Sequence, residues 1–174
     1  MRILCGWCGA ELGTRESDVH PAEAITHGVC PECAHHLFAQ MGMPLQEYLD
    51  GLMAPVAVVG GDGCVLTANA RAQAMLEKEL TDIIGRAGGD VFECAYAQMP
   101  EGCGHTVHCS GCAIRRTVMA THESGRSRVH APATLYAGTQ ADITPVDLLI
   151  STEKVGDVVL LRIDAVDGQA TSGV

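Results

Sequence analysis

The stretch "PVAVVGGDGCVLTANARAQAML", residues 55–76, changes its hydrophobic period twice within a few turns of chain. Two short apolar runs flank Gly60-Gly61-Asp62-Gly63, a pattern that specifies two strands joined as a hairpin. Asn69 then stands where a helix N-cap is needed, and Ala70, Ala74, Leu76, Leu80 and Ile83-Ile84 recur at helical spacing. Gly85 is the expected stop. The Glu77-Lys78-Glu79 face reads as solvated, and Cys64 as a small buried apolar residue within the second strand.

Further along, "CAIRRTVMATHESG" (112–125) again carries helical spacing through Ile114, Val118 and Met119, ending at Gly125. Arg115-Arg116, with Arg126 and Arg128, read as a solvated helix face and loop. Three strand-like runs follow: "SRVHAPATLYAG" (127–138), "VDLLISTEKV" (146–155) and "GDVVLLRIDAV" (156–166). Gly156-Asp157 forms the expected turn between the last two, and residues 169–174 read as a flexible polar tail. Upstream, Leu37, Phe38, Leu45, Tyr48, Leu49 and Leu52 predict an amphipathic helical segment broken near Gly42 and Pro44. Its part at 41–54 connects to the following domain and either caps that domain or binds a partner.

Strand, strand, helices, then three strands is an order that resembles a PAS domain, and residues 55–76 carry the opening of that pattern. The resemblance covers about residues 44–168 and implies an α+β fold, an antiparallel sheet with helices on one face, with its sensory core at 55–168. It also implies a sensory module that binds a small molecule or cofactor between the first helices and the long helix.

Nine cysteines dominate the chemistry. The N-terminus "MRILCGWCGAELG" lacks the long apolar run of a signal peptide, so a cytoplasmic location is expected, where disulfides are rare and metal binding is favoured. Cys5-x2-Cys8 and Cys30-x2-Cys33 supply four thiolates at the spacing of a closed tetrahedral zinc site. A segment of this size, residues 1–40, needs an ion to hold it together, and a small zinc ribbon is expected there. "HGVCPECAHHL" (27–37) is similar to short zinc-binding segments that precede PAS and receiver modules in bacterial signalling proteins. With four thiolates available, His20, His27, His35 and His36 read as surface residues.

The second set, Cys94, Cys103, Cys109 and Cys112, falls in a cysteine-rich insertion at 94–112, where the PAS resemblance places a ligand. Gly102, Gly104 and Gly111 let the backbone wrap closely, and Cys112 begins a helix whose amides favour a thiolate. Four thiolates suit zinc or an iron–sulfur cluster equally, with His105 or His108 able to replace one of them. Ala113 after Cys109-x2-Cys112 excludes covalent c-type haem attachment.

Other function classes find no support. A formal charge of -10 gives no cationic stripe for nucleic acid, and no apolar run is long enough to span a membrane. There is no P-loop, dinucleotide fingerprint or Ser-His-Asp pattern, so no enzyme is expected. Only a short tail follows residue 168, so a signal is expected to pass through a signalling partner or a homodimer. The expectation is a bacterial regulatory sensor answering redox state or a gaseous or other small-molecule signal; the alternative is a structural adaptor with two zinc sites mediating protein–protein interaction.

Overall fold

A computed structural model of the protein describes residues 2–6, 8–14, 25–28, 30 and 45–171. Cys33, the predicted helical turns around Leu37 and Phe38, the break at Gly42 and Pro44, and the side chains of His20, His27, His35 and His36 lie outside the described residues. The chain divides into two compact units, Met1–Pro44 and Leu45–Val174.

In the first unit β1 (Arg2–Cys5) lies between β2 (Glu11–Thr14) and β3 (Ile25–Gly28). β1 runs antiparallel to β2 and parallel to β3, with Cys5 opposite Gly28. After β1 the chain doubles back: the Gly9 N–H donates to the Cys5 carbonyl at 2.9 Å, and the Cys5 N–H donates to the Ala10 carbonyl at 2.8 Å. Gly9 has φ +75°, a left-handed conformation that costs glycine little.

The second unit is an α+β fold on an antiparallel sheet. Helix α1 (Leu45–Asp50) leads into β4 (Val56–Val59) and β5 (Val65–Ala68), then short helices α2 (Ala70–Leu76), α3 (Leu80–Ile83) and α4 (Gly88–Val91). Two 3-10 turns, Ala95–Gln98 and Val107–Gly111, precede the long helix α5 (Ala113–Ser124). Strands β6 (Arg128–Thr139), β7 (Asp142–Val155) and β8 (Val158–Val166) complete the sheet in the order β5-β4-β8-β7-β6. Two strands, helices, then three strands is the order expected from the sequence.

Alternation along β4 divides the core. Ala57 and Val59 join the main core with Val118 of α5, Ile150, Val159 and Leu161, while Val56 and Val58 pack with Leu49 and Leu52. The predicted connecting helix α1 thus belongs to the second unit, where it covers the sheet face turned away from the main core. Leu49 is fully buried there, a burial that contributes about 2 kcal/mol.

Four local readings are corrected. The helix expected to run from Asn69 to Gly85 breaks at Glu77, which takes a left-handed φ of 53° and ends α2. That break lets Lys78 leave the solvent: its ammonium donates to the Asp90 and Val91 carbonyls at 3.1 and 2.9 Å, satisfying the open end of α4. Cys64 is half-buried just before β5, not a core residue. The chain at Gln169–Ala170, read as flexible tail, forms β9 against β8 through a turn at Asp167 and Gly168, both at positive φ. Asp-Gly is a hairpin signal, and Thr171 secures it by donating its hydroxyl to the Ile163 carbonyl.

Candidate functional site

The parallel pairing of β1 with β3 decides the first cysteine site. It sets Cys5, at the end of β1, beside the chain leaving β3, where Cys30 follows. The Cys30 N–H donates to the Cys5 sulfur at 3.3 Å, and the Cys8 and Cys30 sulfurs stand 3.7 Å apart. Sulfurs bound tetrahedrally at ~2.3 Å to one ion are separated by ~3.8 Å, so this is single-ion spacing. Cys5, Cys8 and Cys30 have all three sulfurs within 4.8 Å of one another. Three thiolates at that spacing could hold a metal ion. Cys33, the fourth predicted ligand, lies outside the described residues.

The second set is arranged differently. Cys94, Cys103, Cys109 and Cys112 all line one cavity of about 480 Å³ on the main-core side of the sheet. Among the described residues, the Cys5 group is the one cluster of three or more ligating side chains within 4.8 Å, so no three of these four sulfurs reach single-ion spacing. Cys94 enters from the turn after α4, where its N–H donates to the Gly89 carbonyl at 2.8 Å. Cys103 and Cys109 come from the glycine-rich loop, and Cys112 is the N-cap of α5.

Three of the four sulfurs accept hydrogen bonds from backbone amides. Gly89 N–H reaches Cys103 at 3.2 Å, Gly104 N–H reaches Cys109 at 3.1 Å, and Arg115 N–H reaches Cys112 at 3.5 Å. Thr106 Oγ1 adds a contact of 3.2 Å to Cys109. Amide donors aimed at sulfur stabilise thiolate and tune metal–thiolate centres. Burial pushes the Cys103 thiol up, opposed by the Gly89 amide. Cys109 is also pushed up by burial, but the Thr106 hydroxyl, the Gly104 amide and Arg115 outweigh this and hold it below its ordinary value. Gly89 is needed for this approach: a Cβ there would stand 2.8 Å from the Cys103 sulfur and 2.9 Å from the Ala97 Cβ.

Aromatic rings and one cation complete the lining. The His108 ring stacks on Tyr96 with centroids 3.8 Å apart, and Tyr136 of β6 lies 5.5 Å from Tyr96. His105 is exposed and does not line the cavity. Arg115, expected to be solvated, is half-buried in the cavity wall, whereas its neighbour Arg116 is exposed as expected. The signal for Arg115 lay in helical spacing, since it is three and four residues before Val118 and Met119, which line the same cavity. Tyr136 and Gly89 had no comparable signal, because they reach the cavity only through the folding of distant segments.

No helix among the described residues is long and apolar enough to cross a membrane. No family model matches the chain, and no curated protein matches it. Among solved structures, the chain is similar to the photoactive yellow protein domain of the sensor histidine kinase Ppr from Rhodospirillum centenum, at 18% identity and a TM-score of 0.44, over 72% of this chain and 96% of that one. It is also similar to a domain of the sensory box sensor histidine kinase/response regulator from Geobacter sulfurreducens, at 13% identity and a TM-score of 0.44, covering 75% and 94% of the two chains. A third is the PAS domain of nitrogen regulation protein NR(II) from Vibrio parahaemolyticus, at 10% identity and a TM-score of 0.40, covering 68% and 94%.

Proposed function

We propose that the second unit is a PAS-type sensory domain of a cytoplasmic bacterial regulatory protein, with a thiolate-bound metal centre in its cavity. Cys94, Cys103, Cys109 and Cys112 hold an iron–sulfur cluster, and the first unit is a zinc ribbon closed by Cys5, Cys8, Cys30 and Cys33. The contrast between the two cysteine sets carries this reading. One set has sulfurs at single-ion spacing, 3.7 Å for Cys8 and Cys30. The other surrounds a cavity of about 480 Å³ without reaching that spacing, while backbone amides point at its sulfurs. A polynuclear cluster attaches its thiolates to separate irons, so it suits the wider arrangement.

When bound, the cluster supplies one-electron chemistry and sensitivity to oxidants or small gaseous ligands. The chain's own residues would hold it through cysteine sulfurs that accept hydrogen bonds from backbone amides, beside the stacked Tyr96 and His108 rings. The protein is proposed to act without catalysis, passing a change at the cavity to a signalling partner or a second copy. Elemental analysis and visible absorption of anaerobically purified protein test this. Brown protein with one zinc and several irons per chain is expected; colourless protein with two zincs per chain would favour the structural adaptor instead.

A further inference from the structure

Arg115 is the unexplained charge in this cavity. Its guanidinium passes between two glycines from different segments: a Cβ on Gly63 would stand 2.7 Å from Nη1, and one on Gly104 would stand 2.9 Å from it. The β4–β5 turn and the cysteine-rich loop therefore leave a corridor that this side chain fills. None of the four ion pairs among the described residues includes Arg115, and no hydrogen bond from its guanidinium is found among them. Asp62 is the nearby acidic group: its carboxylate accepts the Cys64 N–H at 2.9 Å and feels the Arg115 charge without closing an ion pair with it. A half-buried cation with no carboxylate at ion-pair distance, in a wall shared with four cysteines, has charge left to answer an anionic occupant.

We propose that Arg115 is the counter-charge of the metal centre held by Cys94, Cys103, Cys109 and Cys112, and that it sets how readily that centre accepts an electron. This rests on reading the cavity as a thiolate-bound metal site. Four thiolates bring more negative charge than a divalent ion or a dicationic cluster core can cancel, so the bound centre is anionic. Reduction adds one electron from an external donor, moves no proton and deepens that charge. A fixed guanidinium in a poorly solvated wall therefore favours the reduced state, whereas the solvated Arg116 is screened. Arg115 acts as a positioning and tuning residue; the sulfurs remain the ligands.

The test is a dithionite titration of the anaerobically reconstituted full chain, wild type against Arg115→Lys, Arg115→Gln, Arg115→Met and Arg116→Gln, followed by visible absorption. With the cluster bound, Arg115→Gln and Arg115→Met should each lower the reduced-to-oxidised ratio at fixed potential at least tenfold, ~59 mV for a one-electron couple. Arg115→Lys should recover most of the shift, and Arg116→Gln should change the ratio less than threefold. An intact cluster whose midpoint moves no more in the Arg115 variants than in Arg116→Gln would overturn the inference. Should one neutral variant fail to fold by circular dichroism, the other and Arg115→Lys still decide it.

Colourless protein with zinc at the cavity would sink the cluster reading separately. Arg115 is then judged by zinc release to a chelator: at least tenfold faster release from Arg115→Gln than from Arg116→Gln upholds the counter-charge, and equal rates overturn it. Absence of any metal on these cysteines after reconstitution would overturn both.

Discussion

Asn69 uses its whole side chain. Its Oδ1 accepts from Ala72 N–H and Val56 N–H, each at 2.9 Å, and its Nδ2 donates to the Leu49 and Ala54 carbonyls at 3.1 and 2.8 Å. The cap on α2 was legible in the sequence; the tie to α1 was not, because the two carbonyls belong to residues 20 and 15 positions upstream. Asn69→Ala leaves these groups unsatisfied in a fully buried site and should cost on the order of 3 kcal/mol, read as a lower urea midpoint. Asn69→Asp should not restore it, since the second oxygen would face two carbonyls. An unfolding free energy within ~0.5 kcal/mol of wild type in Asn69→Ala would contradict the assignment. Gly89 makes a different test, since it sits in α4 without a positive φ. Gly89→Ala should displace the Cys103 sulfur and lower any metal content of the cavity cysteines, while metal bound by the proposed zinc site of the first unit and the far-ultraviolet circular dichroism stay unchanged.

Elements were legible where one local pattern determined them. The β4–β5 hairpin, α5 and the three long strands follow from turn chemistry and periodicity close at hand. The break between α2 and α3 was hidden because the contact that accompanies it, Lys78 on the end of α4, lies 12 residues away. Arg115 was hidden by its charge, although spacing placed it on the apolar side of α5. In the first unit a bound metal would organise the elements: among the described residues its four-residue strands carry one ion pair, Arg2 with Glu11 at 3.2 Å between half-exposed side chains. Such a pair contributes at most about 1 kcal/mol, whereas structural zinc contributes on the order of 10. Strong chelation, or Cys30→Ser, should therefore abolish amide-exchange protection in β1 and β3 while β4 and β8 keep theirs. Protection retained in β1 after complete zinc loss would show that the strands hold without the ion.

At the scale of the whole molecule, the question is how a change in the cavity reaches another protein. Val59 and Leu161 line the cavity, while Val58 and Leu160, one step along the same strands, pack with Leu49 of α1. β4 and β8 therefore touch the candidate site on one face and α1 on the other. Burial of Leu49 fixes α1 to the sheet, and on the same short segment Leu45 is 60% exposed and Met53 is 56% exposed. Exposed apolar side chains on a segment anchored in this way suit association with a second copy of the chain. The expected outcome is a dimer by light scattering at micromolar concentration, with a dissociation constant that differs between oxidised and reduced protein. Leu45→Glu should shift the population toward monomer while changing the unfolding free energy by no more than about 0.5 kcal/mol, because the replaced side chain is largely outside the core. A strict monomer in both oxidation states, or a dimer indifferent to Leu45→Glu, would remove α1 as the output surface.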